Sequence, residues 1–143
     1  AGNDTLRSGR GRNIRIGGAG RNGLNGVLGD NLEIGGYTDY DNNDIALANL
    51  LAEWSRQDLP AASSYSTRLA DLRGDTAGGL NGPYFLNAVP TALSAAATVH
   101  DNAAVDILYG GVGRNWYFAH TSGAAPLDHV FFRKPSEVID AIP

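Results

Sequence analysis

The chain has 143 residues, a net charge of −4 and no cysteine. That length gives one domain or a piece of one, and the lack of cysteine excludes disulfides and thiolate metal centres. No apolar run approaches the roughly 20 residues of a membrane-spanning helix, and no signal peptide or initiator methionine is visible.

The first 36 residues carry a nine-residue period. Gly2, Gly11, Gly20 and Gly29 fall nine apart, and Asp4, Asn13, Asn22 and Asn31 follow two residues behind each glycine. Three-residue segments come next (TLR, IRI, GLN, LEI), then a mostly small pair. Such a period reads as alternating glycine turns and short strands, coiling into a parallel β-roll, a solenoid. Residues two repeats apart stack, so TLR pairs with GLN and IRI with LEI. Leu6 and Leu24 point inward. Arg15 and Glu33 fall at the same middle position, flanked by Ile14, Ile16, Leu32 and Ile34. The expectation is a local flip of alternation that turns the two charges to solvent and buries the four aliphatics. The alternative is a sheet covered on both faces. An inward ion pair would carry a desolvation cost.

Tyr37 to Asp44 breaks the period. Asp39, Asp41 and Asn43 spell the opening of an EF-hand loop, but Asp44 stands where glycine is needed and Leu50 where the final glutamate is needed. An acidic helix start capped within Asp41 to Asn43 is the competing reading. Asp44 to Leu59 predicts an amphipathic helix with Leu47, Leu50, Leu51 and Trp54 on one face, ended by Pro60. Ser63 to Leu72 predicts a second helix presenting Tyr65, Leu69 and Leu72, stopped at Gly74. This hairpin should cover one sheet, the one carrying Ile14 to Ile34. Tyr84 to Leu86 reads as a possible strand.

The nine-residue spacing returns at 101–118, with Asp106 and Asn115 at the aspartate position, Gly110-Gly111 as the glycine pair, and Leu108 and Tyr117 inward. Residues 1–143 therefore read as one mainly β domain. Repeats over 1–36 are interrupted by a helical insertion at 37–97, resume at 98–118 and close with a C-terminal cap at 119–143. In the cap, Asp128 to Phe132 is strand-like, and Glu137 to Ile142 is a last strand or a terminal cap.

The repeat resembles the nonapeptide array of haemolysin-type calcium-binding proteins, GGxGxDxUx. The arrangement of repeats, GG-TDYD, LANLLAEW, STRLADL, GLNG and DNAAVDILYGGVGRNWYF resembles the C-terminal region of large secreted planctomycete-type proteins with such repeats. The resemblance implies calcium held by turn aspartates and backbone carbonyls, folding outside the cell or at its surface, and no particular reaction. Carried onto this chain, it puts the metal on Asp4, Asn13, Asn22, Asn31, Asp106 and Asn115, with Asp39 and Asp41 as further candidates. Asparagine at most of these positions supplies oxygen without charge, and residues 1–36 hold five arginines against three acids. The expectation is one or two weak calcium sites, against a metal-free roll in which asparagine and glycine form the turns.

Catalysis has little support. His100, His120 and His129 lie in no metal-binding spacing, and no nucleophile elbow is present. Arg7, Arg10, Arg12, Arg15 and Arg21 read first as a solvated turn surface, with an acidic glycan or an acidic neighbouring chain as the alternative partner, and no nucleic-acid partner is expected. Two functions follow. One is a non-enzymatic, extracellular calcium-binding structural module at the C-terminal end of a secreted protein, next to an upstream part of its parent chain. The other is a subunit that associates with copies of itself into a filament or surface layer, with little or no calcium.

Overall fold

The computed structural model describes residues 2–143 and is mainly β, with parallel sheets and two helices. The strands are β1 (Thr5–Ser8), β2 (Asn13–Ile16), β3 (Gly23–Gly26), β4 (Asn31–Ile34), β5 (Tyr37–Thr38), β6 (Val99–His100), β7 (Ile107–Tyr109), β8 (Trp116–Ala119), β9 (His129–Phe131) and β10 (Val138–Ala141). The helices are α1 (Asp44–Ser55) and α2 (Ser64–Arg73).

One sheet has the order β1-β3-β7-β9 and the other β2-β4-β8-β10. Along the chain, successive strands of these sheets alternate between them, as the nine-residue period requires. All six pairings within them are parallel, and Leu6 stands beside Leu24, Leu24 beside Leu108 and Leu108 beside Val130. In the second sheet the matching row is Arg15, Glu33, Tyr117, Ile139.

Between β4 and β7 the chain leaves for both helices and returns. Its exit and re-entry are tied by the antiparallel β5–β6 pair, Tyr37 opposite His100 and Thr38 opposite Val99. This closed neck allows a long insertion without shifting the register of the sheets. The sequence did not signal β6. Tyr84 to Leu86, expected as a possible strand, is irregular. The closing segment supplies the fourth strand of each sheet rather than a separate terminal element.

Two cores result. Between the sheets, Leu24, Leu108, Tyr117 and Ala119 pack with Val130 and Ile139. On the far face of the second sheet, Leu32, Ile34, Trp116 and Phe118 pack against Leu50, Trp54, Tyr65, Leu69 and Leu72 of the helices. That sheet is thus covered on both faces, which explains its unbroken apolar run at Trp116–Ala119. Burying a large apolar side chain such as Leu32 contributes roughly 1.5–3 kcal/mol.

Double coverage overturns one expectation. Arg15 and Glu33 do not turn to solvent; they are 5% and 0% exposed. Strict alternation is kept, so the aliphatics face the helices and the two charges face the other sheet. Arg15 donates to Glu33 and to Ser8, and Glu33 accepts the Gly26 N–H at 3.2 Å. The α1 face also differs. Leu50 and Trp54 are buried with Ala46 and Glu53, whereas Leu51 is exposed and Leu47 half-buried. α1 ends at Ser55, short of Leu59. Its cap is Asn43, whose side chain accepts the Ala46 N–H.

Candidate functional site

The turn residues singled out by the nine-residue spacing come together in two columns, each buried from its second level on. In the first, Asn22 Oδ1 accepts the Asp4 N–H at 3.1 Å, Asp106 Oδ1 the Asn22 N–H at 2.5 Å, and Asp128 Oδ1 the Asp106 N–H at 2.7 Å. In the second, Asn31 Oδ1 accepts from Asn13 Nδ2 at 3.1 Å, and Asn115 Oδ1 accepts the Asn31 N–H at 2.9 Å. Glu137 Oε1 completes it, accepting from Asn115 Nδ2 at 2.8 Å. The sequence separations are the same in both columns: 18, then 84, then 22. Each side-chain oxygen thus satisfies a donor of the preceding level, where an unpaired buried N–H would cost about 1–3 kcal/mol.

The side-chain nitrogens face the turn carbonyls. Asn13 Nδ2 donates to Gly11 O at 3.1 Å, Asn22 Nδ2 to Gly20 O at 2.7 Å, and Asn31 Nδ2 to Gly29 O at 3.0 Å and Gly110 O at 2.8 Å. Two residues at positions that the glycine and Asx spacing does not mark join them. Asn102 Nδ2 reaches Gly18 O at 2.7 Å, Gly20 O at 3.1 Å and Asp106 Oδ2 at 2.9 Å. Lys134 Nζ reaches Gly113 O at 2.6 Å and Gly111 O at 3.2 Å, and lies 3.4 Å from Glu137 Oε1.

Calcium takes six to eight oxygens, carbonyls and carboxylates among them. Here the turn carbonyls and most Asx oxygens already receive N–H donors, and an ammonium occupies one turn. These residues therefore do not fit a calcium ion as they stand. Among the described residues, no group of three or more His, Asp or Glu side chains is placed to hold a metal. Asp39 Oδ1 lies 2.8 Å from His100 Nε2, and Asp41 Oδ1 accepts from the Thr38 N–H at 3.0 Å and its hydroxyl at 2.7 Å. Their contacts brace the neck of the insertion and belong to neither column.

Burial shifts the acids. Asp128 is pushed up to about 6, by desolvation first and then by the charges of Asp106 and Asp101, against the N–H groups of Asp106 and His120. Asp106 is raised by desolvation as well. Glu33 is pushed up to about 7 by desolvation, which outweighs Arg15.

Asp128, Glu137, Asn102 and Lys134 were not legible as site residues. A signal existed for two of them: Asp128 and Glu137 stand nine apart, as Asp106 and Asn115 do. It was hidden because glutamate replaces the Asx residue, and Phe132-Arg133 stands where the previous level has Gly110-Gly111.

The histidines serve separate places. His100 stacks on Tyr37. His120 sets Nδ1 against Ile142 O and Nε2 against Ala124 O, each at 2.9 Å. His129 is exposed beside Phe131. Among the described residues, no helix is long and apolar enough to cross a membrane. No family model matches the chain, and no curated protein or solved structure is significantly similar to it.

Proposed function

We propose that this chain is a non-enzymatic structural module: a β-roll of nine-residue coils whose turns are cross-linked by Asx side chains and amine donors in place of calcium. The observation that carries this reading is Lys134, whose ammonium sits on the carbonyls of Gly111 and Gly113, with Asn102 set likewise on Gly18 and Gly20. Those are the oxygens a calcium roll would offer its ion. A fixed ammonium or amide supplies the positive end of a dipole there without a bound metal. Export and an extracellular setting belong to the same reading, supported by the resemblance of the repeat alone.

Thermal unfolding in chelator and in millimolar calcium tests it. The expected midpoints coincide. A rise of several degrees with calcium overturns the reading, because a ligand of the native state must stabilise it.

One observation favours a calcium-binding reading in part. The column of Asp4, Asn22, Asp106 and Asp128 keeps three carboxylates, and turning the amides of Asn22 and Asn102 would present oxygen to Gly18 and Gly20. Calcium would then act on this column alone, and amide shifts confined to it on titration would identify that case.

Self-association is supported by the sheet edges, which offer unpaired strand groups. The two ends are unlike. At the β9/β10 end, the Asp128 N–H is held by His120 O at 2.8 Å and the Glu137 N–H by Lys134 O at 3.0 Å. At the β1/β2 end, Asp4 is exposed. Sedimentation across a concentration series tests association.

A further inference from the structure

Beside the glycine turns of the second column, where the α1–α2 connection passes over them, lies a cleft of about 610 Å³. Three of its lining side chains are Arg12, Arg68 and Arg114, and one is Asp30. These are the only charged residues among the lining set, so three guanidiniums face a single carboxylate. In a chain of net charge −4 this is a local excess of two positive charges.

The carboxylate is fully used. Asp30 Oδ1 accepts the Arg114 N–H at 2.9 Å, and Oδ2 accepts from Arg68 Nη2 at 2.8 Å, with Arg12 Nε 3.4 Å away. Burial alone would raise Asp30, but the Arg114 N–H and the guanidiniums of Arg68 and Arg12 hold it below its ordinary range. It stays charged and offsets one cation, leaving two.

The cations are held in place. Arg68 is 1% exposed, bonded to Ser64 O and Trp54 O, with its guanidinium 4.4 Å from the Trp54 ring centre. Arg12 is half-buried and donates to the carbonyls of Ser55 and Arg56. Arg114 is exposed, its guanidinium 4.1 Å from the Tyr65 ring centre and within 3.4 Å of Ser136 O. Much of the ordering cost of a binding site is therefore already met by the fold. A planar guanidinium matches the oxygens of phosphate or sulfate better than a point charge does. The floor of the cleft includes Gly11 and Gly29, where no side chain blocks approach.

We propose that this cleft binds a tetrahedral oxyanion, a phosphate or sulfate ester, through Arg12 and Arg114, with Arg68 and Asp30 as the fixed base beneath them. Its volume falls within the range of small-ligand sites and leaves room for a sugar-sized body beside the anion. None of the four charged residues of this site belongs to either Asx column, so the calcium experiment does not decide it.

Glucose phosphate, glucose sulfate, unmodified glucose and sodium chloride at matched ionic strength are titrated into the protein while backbone amide shifts are followed. Saturable shifts at Gly11, Gly29, Gln57 and Ser64 are expected with at least one ester and not with glucose or chloride. The ester that binds more tightly identifies the anion. Arg114→Gln leaves the backbone N–H to Asp30 intact and should weaken binding about tenfold, with Arg114→Lys intermediate. Unchanged thermal midpoints show that both variants fold. Arg12→Gln, checked in the same way, is the second variant. The proposal is overturned if neither ester exceeds the chloride control, or if folded Arg114→Gln and Arg12→Gln bind as tightly as the parent chain.

Discussion

Asn115 Oδ1 accepts the backbone N–H of Asn31 at 2.9 Å, across 84 residues of sequence. The same side chain donates through Nδ2 to Glu137 Oε1 at 2.8 Å. One amide thus joins three levels of the second column, accepting on one side and donating on the other. A carboxylate could do only the first.

That difference makes Asn115 the most direct test of how the turns are held. Asn115→Asp would remove the donor and set a second carboxylate against Glu137 in a fully buried site. It should lower stability by about 3 kcal/mol or more. Asn115→Ala leaves the Asn31 N–H without its acceptor and should cost about 1–3 kcal/mol. Urea unfolding measures both. If millimolar calcium restored the Asn115→Asp protein, the turns would be metal sites after all.

Arg15 and Glu33 form a coupled buried pair with incomplete satisfaction: Arg15 Nε and Glu33 Oε2 have no hydrogen-bond partner. Burial raises Glu33 to about 7, so the fold tolerates its neutral form, whereas Arg15→Met leaves the Glu33 carboxylate buried without its cation and should cost about 3–5 kcal/mol. The double change Arg15→Met, Glu33→Gln removes both charges and keeps an acceptor for the Gly26 N–H. It should cost less than the single Arg15→Met change. A double-mutant cycle by urea unfolding measures the coupling. Additive costs would show that the two charges do not depend on each other.

The nine-residue period made the pairing of Leu6 with Leu24 and of Ile14 with Leu32 readable, because local spacing sets that register. Tyr65, Leu69 and Leu72 were readable from helical spacing, and all three are buried. The direction of Arg15 and Glu33 was not, because it depends on helices arriving from a distant segment to cover the opposite face. Arg68 was missed for a similar reason. Its partners, Trp54 O and Asp30, lie 14 and 38 residues away. Asn102 and Lys134 fall at positions that the glycine and Asx spacing does not mark, and they reach the turns only once the β5–β6 neck and the last turn have formed. Their chemistry belongs to tertiary structure and leaves no periodic mark.

The glycines of the turns are not interchangeable. Gly29 has φ +84, and a Cβ there would collide with the Gly11 carbonyl of the level beside it. Gly29→Ala combines left-handed strain with a backbone clash between levels and should cost about 3 kcal/mol or more. Gly9 has no such φ and nothing near its added Cβ. Gly9→Ala should therefore change stability by less than about 0.5 kcal/mol. Thermal and urea unfolding of the two variants side by side make the comparison. Equal effects would show that close stacking of Gly29 on Gly11 does not matter to the fold.

Stability should peak in mild acid rather than at neutral pH. Burial raises Glu33 from 4.5 to about 7 and Asp128 from 3.8 to about 6, so both bind a proton more tightly folded than unfolded. Their contribution is fully present below the unfolded values and is lost as pH rises through about 6 to 7. His120 acts in the same direction. Hydrogen bonds to Ala124 O and then Ile142 O favour its doubly protonated ring and raise it above 6.5. Asp58 runs the other way, lowered to about 2 by its bond with Arg56, and so does Asp30, which is held low. Their contributions are present above the ordinary carboxylate range and are lost as pH falls through the lowered values. The two limbs cross near about pH 5. Thermal midpoints at constant ionic strength should fall steadily from there to slightly alkaline pH. Asp128→Asn should flatten the decline through its own window near pH 6 and leave the remainder to Glu33 and His120. A midpoint that is highest above pH 7 would mean that Glu33 and Asp128 are ionised in the folded chain at no cost, and that Arg15 and the neighbouring N–H groups compensate their burial in full.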